Sequence, residues 1–164
     1  MSGAVRTGLG WDSHRFLAGR PLILGGVEFE GAPLGLDGHS DADVLAHAVI
    51  DALLGAAGLG DIGAHFPDSD PAYEDADSIA LLREVVAIVA GEGWRVVNVD
   101  TTVLMERPKL GDRRAAIRAS LGAALALDAG DVNVKASTGE GMGFVGRLEG
   151  VAALAVATIE RAPV

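Results

Sequence analysis

Hydrophobic residues recur along this chain with two different periods. Over residues 95–105 apolar side chains recur at every second position and alternate with polar ones, which predicts a long strand. Over residues 41–57 the apolar positions instead return every three or four residues, as they do on one face of a helix. The chain is therefore predicted to contain both strands and helices.

The remaining pattern completes an alternation of strands and helices. A first strand is expected to end near His14, and a hairpin is expected over residues 21–30 around the turn Gly25-Gly26. No linker or repeat interrupts the order, so we predict one α+β domain over residues 1–164, with helices on one face of a mostly antiparallel or mixed sheet. The other predicted elements are helices over residues 78–90 and 113–125 and strands over residues 132–137 and 152–159.

Composition narrows the classes of function. The formal net charge of −10 argues against nucleic-acid binding, which needs a basic face, and any phosphorylated ligand would need local compensation of its charge. Because the chain has no cysteine, disulfides and thiolate chemistry are excluded. No segment approaches the roughly eighteen uninterrupted apolar residues of a membrane span, and the N-terminus lacks a signal-peptide pattern. We therefore expect a cytoplasmic protein that does not enter a membrane.

Three of the four histidines lie in two short segments that also hold several carboxylates. Asp12 and His14 stand two positions apart in a predicted strand, so both side chains point the same way and form an oxygen and nitrogen ligand pair. Ser40 and Asp43 have the spacing of a capping box, which places His47 inside the following helix. Asp43 and Asp51, one turn before and after His47, are predicted to orient its ring.

His39 and His47 are predicted to have different roles. Eight residues of helix separate them by roughly 12 Å, so they cannot bind one ion. His39 lies beside the positive helix N-terminus and is better placed to meet an anion. Asp12, His14 and His47 would form a three-ligand site with an open position, typical of catalytic zinc. An ordinary core histidine and a surface histidine remain the alternatives for His47 and His39.

Two further stretches carry candidate chemistry. Residues 135–144 leave a strand and enter a glycine-rich loop whose amides and hydroxyls suit phosphate, and in which Glu140 suits a hard cation such as Mg²⁺. The alternative is an ordinary glycine-rich turn. Pro108 and Lys109 form either a rigid binding turn or an exposed loop. Three loop aspartates are either ligands or local caps: Asp61, Asp68 and Asp70.

Six motifs occur in order along the chain. They are Gly10-Trp11-Asp12-Ser13-His14, His39-Ser40-Asp41-Ala42-Asp43, Asp61-Ile62-Gly63, Phe66-Pro67-Asp68-Ser69-Asp70-Pro71, Asn133-Val134-Lys135-Ala136, and Gly143-Phe144 with Gly146-Arg147. With these motifs, essentially the whole chain resembles the 2-C-methyl-D-erythritol 2,4-cyclodiphosphate synthase family. The resemblance implies a homotrimer with active sites between subunits. It also implies cyclisation of 4-diphosphocytidyl-2-C-methyl-D-erythritol 2-phosphate with release of CMP, in non-mevalonate isoprenoid biosynthesis.

The resemblance also implies a role for each matching position. Asp12, His14 and His47 match the ligands of a zinc-like ion, and Glu140 matches the ligand of a second ion, Mg²⁺ or Mn²⁺. His39 and Thr138 match the transition-state stabilisers. The positions that match substrate contacts are Asp12, His14, Ser40, Asp61, Ile62, Gly63, Phe66, Pro67, Asp68, Ser69, Asp70, Met105, Pro108, Lys109, Leu110, Gly111, Ser137, Thr138, Gly139, Glu140, Phe144 and Arg147.

Three positions depart from the family pattern. Ala42 stands where glycine is common, Gly139 where a hydroxyl or amide residue is usual, and Gly111 carries less side chain than many relatives. The apolar segment over residues 151–159 predicts a strand buried on both faces, as in a trimer packed around a three-fold axis. Three Arg147 side chains near that axis are a hypothetical site for an isoprenoid diphosphate.

Two other functions remain open at this point. A metal-dependent phosphohydrolase would use water at the open zinc position. A zinc-stabilised trimeric module would bind nucleotides or isoprenoid phosphates without chemistry. A structural zinc site would need a fourth protein ligand, and His65 is the one remaining histidine. We expect His65 to be a loop or surface residue instead.

Overall fold

A five-stranded mixed sheet forms the centre of the computed structural model, which describes residues 4–163. The strand order is β4-β1-β7-β5-β6, and only β5 and β6 pair in parallel. The predicted α+β fold with a mixed sheet is confirmed. The strands of this sheet are β1 (Val5–Leu17), β4 (Gly35–Leu36), β5 (Trp94–Leu104), β6 (Val132–Ser137) and β7 (Gly150–Arg161), and a separate hairpin joins β2 (Ile23–Leu24) to β3 (Val27–Glu28).

Three long helices agree with the predicted segments to within a few residues. They are α1 (Val44–Ala57), α3 (Ser78–Gly91) and α4 (Arg113–Leu125). The sequence pattern did not predict α2 (Ile62–His65) or α5 (Gly143–Gly146), because a single turn is too short to show helical periodicity. Within residues 4–163, every helix falls short of the length and apolar character that crossing a membrane requires.

The first strand and the first helix differ from their predicted ends. β1 continues past His14 to Leu17, because its last residues pair with β4. The predicted capping box is wrong, since the cap of α1 is Asp43 rather than Ser40. Asp43 is fully buried, and its carboxylate accepts hydrogen bonds from four backbone amides that would otherwise lack partners. Those amides belong to Gly25 (2.8 Å), Gly26 (2.7 Å), Leu45 (3.2 Å) and Ala46 (3.0 Å).

Helix α1 lies directly on the backbone of β1. A Cβ atom added at Gly10 would lie 1.8 Å from the carbonyl oxygen of Ala48, and one added at Gly8 would lie 2.0 Å from that of Ala52. Glycine on the strand and alanine on the helix thus let the two backbones approach more closely than larger side chains would permit. This approach brings α1 within reach of the polar residues farther along β1.

The other face of the sheet exposes apolar side chains. Leu9 is 67% exposed, Trp11 53% and Val156 39%. On the helix-facing side of β7, by contrast, the alternate residues Ala155 and Ala157 are buried. In the single chain, β7 is therefore buried on both faces at its start, over Val151, Ala152 and Ala153, but not at Val156. Burial of the rest of that face in a trimer stays a prediction.

Gly10→Ala should strongly destabilise the fold. We expect the free energy of unfolding to fall by about 3 kcal/mol or more, because the new methyl group forces α1 away from β1. Gly130→Ala is the matched control, since a Cβ atom there meets nothing within 4 Å. Urea denaturation followed by circular dichroism measures both changes. Equal stability of the two variants would contradict this account of the packing.

Candidate functional site

Asp12, His14 and His47 converge where β1 crosses α1. The Oδ2 atom of Asp12 lies 2.9 Å from His14 Nε2 and 3.1 Å from His47 Nδ1, and the two nitrogens are 3.2 Å apart. One ligand atom from each residue therefore lies within 4.8 Å of the others. The structure brings together the three side chains that the sequence spacing predicted as metal ligands.

In each imidazole, the nitrogen that points away from Asp12, called the far nitrogen below, already has a hydrogen-bond partner. His14 Nδ1 donates to the carbonyl oxygen of Asp37 at 2.6 Å. His47 Nε2 lies 2.8 Å from Ser78 Oγ and 3.2 Å from Ser40 Oγ. The near nitrogens of both rings are thus directed at the Asp12 carboxylate. One carboxylate oxygen and two imidazole nitrogens in this arrangement are a donor set that fits a divalent cation.

Asp12 and His14 shift each other's pKa. Burial raises the pKa of Asp12, but the hydrogen bonds and charges of His14 and His47 outweigh burial and hold that pKa well below its ordinary value. Burial lowers the pKa of His14, but the Asp12 carboxylate and the Asp37 carbonyl outweigh it and raise that pKa. An ionised carboxylate thus faces a basic imidazole, and a divalent cation can replace the proton between them.

The prediction that Asp43 and Asp51 orient the ring of His47 is wrong. The Asp43 carboxylate is occupied by the backbone amides that it caps. Asp51 Oδ1 accepts a hydrogen bond from the amide of Ile62 at 2.7 Å. Burial raises the pKa of Asp51, as do the nearby charges of Asp61 and Asp12. Nearby backbone amides bind these two carboxylates instead of the His47 ring.

A cavity of about 410 Å³ opens beside the cluster. His39 lies on its wall and donates from Nε2 to the carbonyl oxygen of Asp70 at 3.0 Å. Ser69 lies in the same loop and is exposed. The predicted residues that line this cavity are Asp12, His14, His39, Ser40, His47, Ile62, Gly63, Phe66 and Asp68.

Two of the loop aspartates serve as local caps. Asp61 Oδ1 accepts from the amide of Ala64 at 3.0 Å, and Asp70 Oδ1 accepts from that of Ala72 at 2.9 Å. His65 donates from Nε2 to the carbonyl oxygen of Leu59 at 2.9 Å and lies outside the three-residue cluster. Asp61 and Asp70 therefore match the alternative of local backbone capping that the sequence left open.

A second group of predicted residues lines a different, smaller cavity of about 180 Å³. It lies between the loop after β5 and the end of β6 and is bordered by Arg114 of α4. The predicted residues on its wall are Met105, Pro108, Lys109, Leu110, Gly111, Ser137 and Thr138. Most of the predicted site residues therefore lie in two separate cavities of one chain.

Sequence reasoning missed Glu106, which connects two of the predicted segments. Its Oε1 atom accepts from the amides of Gly139 at 2.6 Å and Gly141 at 3.5 Å, so it holds the glycine-rich loop against the end of β5. Within that loop, Thr138 Oγ1 donates to Glu140 Oε1 at 3.2 Å. The signal in the sequence that could have identified Glu106 is the presence of an acidic residue directly after the long strand.

The departures from the family pattern have local structural explanations. A Cβ atom at Gly139 would lie 2.8 Å from Gly146 N and Met142 O, so this loop has no room for a side chain there. Ala42 is fully buried at a φ of 58°, in the left-handed region that favours glycine. Gly111 has a φ of 50°. Glycine at the family position of Ala42 is therefore what the backbone prefers.

Phe144 and Arg147 lie beyond these two cavities. Phe144 shares a cavity of about 680 Å³ with His14 and Glu149. Arg147 Nε is 2.6 Å from Glu149 Oε1 in an exposed ion pair, which raises the pKa of Arg147 and lowers that of Glu149. Neither Phe144 nor Arg147 lines the cleft that contains Asp12, His14 and His47.

Comparison with known proteins identifies the family. The model of the YgbB family matches residues 5–160. The chain belongs to the YgbB family. This YgbB family chain is 59% identical over 162 residues to a "Bifunctional enzyme IspD/IspF" of Anaeromyxobacter dehalogenans, and it spans 42% of that relative's length.

Other relatives match along their whole length. A "2-C-methyl-D-erythritol 2,4-cyclodiphosphate synthase" of Bordetella petrii is 56% identical over 162 residues, which are 99% of both chains. The solved structure of a 2C-methyl-D-erythritol-2,4-cyclodiphosphate synthase in its CDP-bound form superposes with a TM-score of 0.86 at 39% identity. That match covers 94% of this YgbB family chain and 100% of the solved one.

Proposed function

We propose that this chain cyclises 4-diphosphocytidyl-2-C-methyl-D-erythritol 2-phosphate to 2-C-methyl-D-erythritol 2,4-cyclodiphosphate and releases CMP, in the non-mevalonate pathway to isoprenoids. The observation that carries the proposal is the convergence of Asp12, His14 and His47 at the wall of a cleft. Support comes from membership of the YgbB family and from full-length relatives named for this activity. One of the solved relatives has CDP bound.

Asp12, His14 and His47 are proposed to hold Zn²⁺. One carboxylate oxygen and two neutral imidazole nitrogens are common zinc ligands, and the set leaves a fourth position for a substrate oxygen. When bound, the ion would supply a Lewis acid for a phosphate oxygen of the substrate. Glu140 is proposed to hold the second ion, Mg²⁺ or Mn²⁺. Its exposed carboxylate is a single ligand, so phosphate oxygens would complete that coordination.

The reaction requires no nucleophile from the protein. An oxygen of the substrate's own 2-phosphate attacks the β-phosphorus, the bond from that phosphorus to the bridging oxygen breaks, and CMP leaves with that oxygen. The task of the protein is therefore to hold the attacking oxygen, the phosphorus and the leaving group in line. The cavity of about 410 Å³ beside the metal cluster is the proposed place for the erythritol and its phosphates.

His39 and Thr138 are proposed to stabilise the charge that develops on the phosphates. The hydrogen bond from His39 Nε2 to Asp70 fixes the ring at the wall of the cleft. Thr138 stands in the glycine-rich loop that Glu106 holds, so its hydroxyl has a defined position. Hydrogen-bond donors that are already in place at the transition state are an efficient source of catalysis.

The two cavities suggest an active site shared between subunits. We propose that the cleft of one chain meets the smaller cavity of its neighbour, which would hold the cytidine. The exposed apolar face of the sheet, with Leu9, Trp11 and Val156, is the proposed surface around the three-fold axis of a homotrimer. Burial of this face would remove a large apolar area from water.

Two further expectations from the sequence stay predictions. An isoprenoid diphosphate near the three-fold axis would have to compete with Glu149 for Arg147, because the two side chains form an ion pair in the single chain. The location in the cytoplasm is likewise a prediction. Neither is needed for the proposed reaction.

The metal can be tested by content and by mutation. We expect purified protein to bind about one zinc ion per chain, and His47→Ala to lose at least nine tenths of it, because the variant keeps only two ligands. His65→Ala is the matched control, since His65 bonds only to a backbone carbonyl in the structure. Elemental analysis after dialysis measures both. Loss of zinc from the His65 variant with retention in the His47 variant would show that the ligand assignment is wrong.

The trimer can be tested by light scattering at micromolar concentration. We expect a mass about three times the 16.7 kDa of the chain. Val156→Asp should give monomers, because it places a charge in the proposed apolar interface. Ala115→Asp, on the exposed side of α4, should leave the mass unchanged. A monomeric wild-type protein would refute the trimer and the shared site together.

The reaction itself separates cyclisation from the alternatives. With 4-diphosphocytidyl-2-C-methyl-D-erythritol 2-phosphate, Zn²⁺ and Mg²⁺, we expect CMP and a cyclic diphosphate in equal amounts. The same nucleotide without the 2-phosphate should yield almost no CMP, because the nucleophile is missing. Phosphorus NMR distinguishes the two coupled ring phosphates from linear products. CMP release without the 2-phosphate would favour a phosphohydrolase, and no release from either compound would favour a binding module.

A further inference from the structure

The two metal-ligand histidines are held by different kinds of partner. The far nitrogen of His14 faces the Asp37 carbonyl, which can only accept a hydrogen bond. In the neutral ring, that partner alone places the hydrogen on Nδ1 and leaves the lone pair on Nε2. The far nitrogen of His47 faces the hydroxyls of Ser78 and Ser40, which can both donate and accept. The nearest partners of His47 therefore do not decide its tautomer.

Asp41 decides the direction of the hydrogen bond at Ser78. Ser78 is completely buried, and its hydroxyl makes a short contact with Asp41 Oδ1. An ionised carboxylate only accepts, so the single hydroxyl hydrogen of Ser78 goes to Asp41. The remaining lone pairs of Ser78 Oγ then accept from His47 Nε2, at 2.8 Å. In the neutral ring, the hydrogen of His47 is thereby placed on Nε2 and its lone pair on Nδ1.

The Asp41 carboxylate is itself held by the backbone. Its Oδ2 atom accepts from the amide of Ser78 at 3.0 Å, and its Oδ1 atom accepts from that of Asp43 at 3.1 Å. All three hydrogen bonds reach the carboxylate from donors, so both of its oxygens act as acceptors. Ser40 is a weaker partner, because its Oγ lies farther from His47 and accepts from the amide of Ala42 at 3.2 Å.

We infer that Asp41 and Ser78 are positioning residues of the metal centre. Ser78 donates to Asp41 and accepts from His47 Nε2, so that His47 Nδ1 presents its lone pair beside Asp12 and His14. We call these three linked side chains the His47–Ser78–Asp41 relay. The inference rests on the proposed function, because it assigns a purpose to the relay only if the cluster binds metal.

The relay also fixes the ring in space. Ser78 is the first residue of α3, while His47 lies in α1, so the hydrogen bond ties two helices together at the cleft. The ring of His47 stands edge-on to that of His14, with centroids 5.3 Å apart and planes inclined at 61°. Groups that hold the outer nitrogen of a metal-bound histidine typically contribute 10- to 100-fold to metal affinity.

The test measures zinc affinity by competition with a chromophoric chelator, using the full chain and zinc alone. We expect Ser78→Ala and Asp41→Asn each to weaken zinc binding by about 10- to 100-fold. The double variant should lose little more than either single variant, because both changes break the same relay. Asp77→Ala is the control, since Asp77 caps the same helix through Ile79 but lies outside the relay. It should bind zinc within about twofold of wild type.

NMR of the ring nitrogens separates positioning from general loss of structure. In zinc-loaded wild-type protein, we expect a slowly exchanging hydrogen on His47 Nε2. In zinc-loaded Asp41→Asn, the same hydrogen should exchange at least tenfold faster. The hydrogen on His14 Nδ1, which the Asp37 carbonyl holds, should be unchanged and serves as the internal reference.

The outcomes distinguish a failure of the relay hypothesis from a failure of the proposed metal site. Wild-type protein that binds no zinc would overturn both. Zinc affinity within twofold of wild type in folded Ser78→Ala and Asp41→Asn would overturn the relay alone, as would an equal loss in Asp77→Ala. The measurement on the wild-type ring hydrogen needs no variant, so fast exchange at His47 Nε2 would overturn the relay even if a variant failed to fold.

Discussion

The close packing of α1 on β1 is the constraint on which the rest of this structure depends. Gly8 and Gly10 leave no side chain between the two backbones, and the carbonyl oxygens of Ala48 and Ala52 occupy the space instead. A helix held at an ordinary side-chain distance would carry His47 away from Asp12. The convergence of Asp12, His14 and His47 therefore depends on two residues that carry no functional group.

An acidic chain can bind phosphates when its charges are arranged locally. The net charge is −10, yet several carboxylates near the site face backbone amides rather than the cleft. Asp43 caps α1, Asp51 accepts from Ile62, and Asp61 and Asp70 cap the turns that follow. Among residues 4–163, Asp12 is the one carboxylate that joins the two histidines in the candidate metal site. Amide donors thus bind much of the acidic charge that would otherwise repel a substrate.

The site is built at two levels of hydrogen bonding. The candidate ligand atoms of Asp12, His14 and His47 come from β1 and α1. The groups that orient the two imidazole rings are the Asp37 carbonyl and Ser78 at the start of α3. The second level joins elements that are distant in sequence, since Ser78 lies 31 positions after His47. Secondary structure alone could not hold the two rings at the angle observed between them.

The sequence by itself determined the long helices and strands, because their periodicity depends on which face each element buries. It also determined the three metal-ligand candidates, since a two-residue spacing on a strand and a helix position define directions locally. Only the tertiary structure decided the partners of the other polar groups. Asp43 and Asp51 accept hydrogen bonds from backbone amides, and Ser78 forms a hydrogen bond with His47. Such contacts depend on how separate elements pack. The order of residues along the chain does not specify the distances between side chains of separate elements.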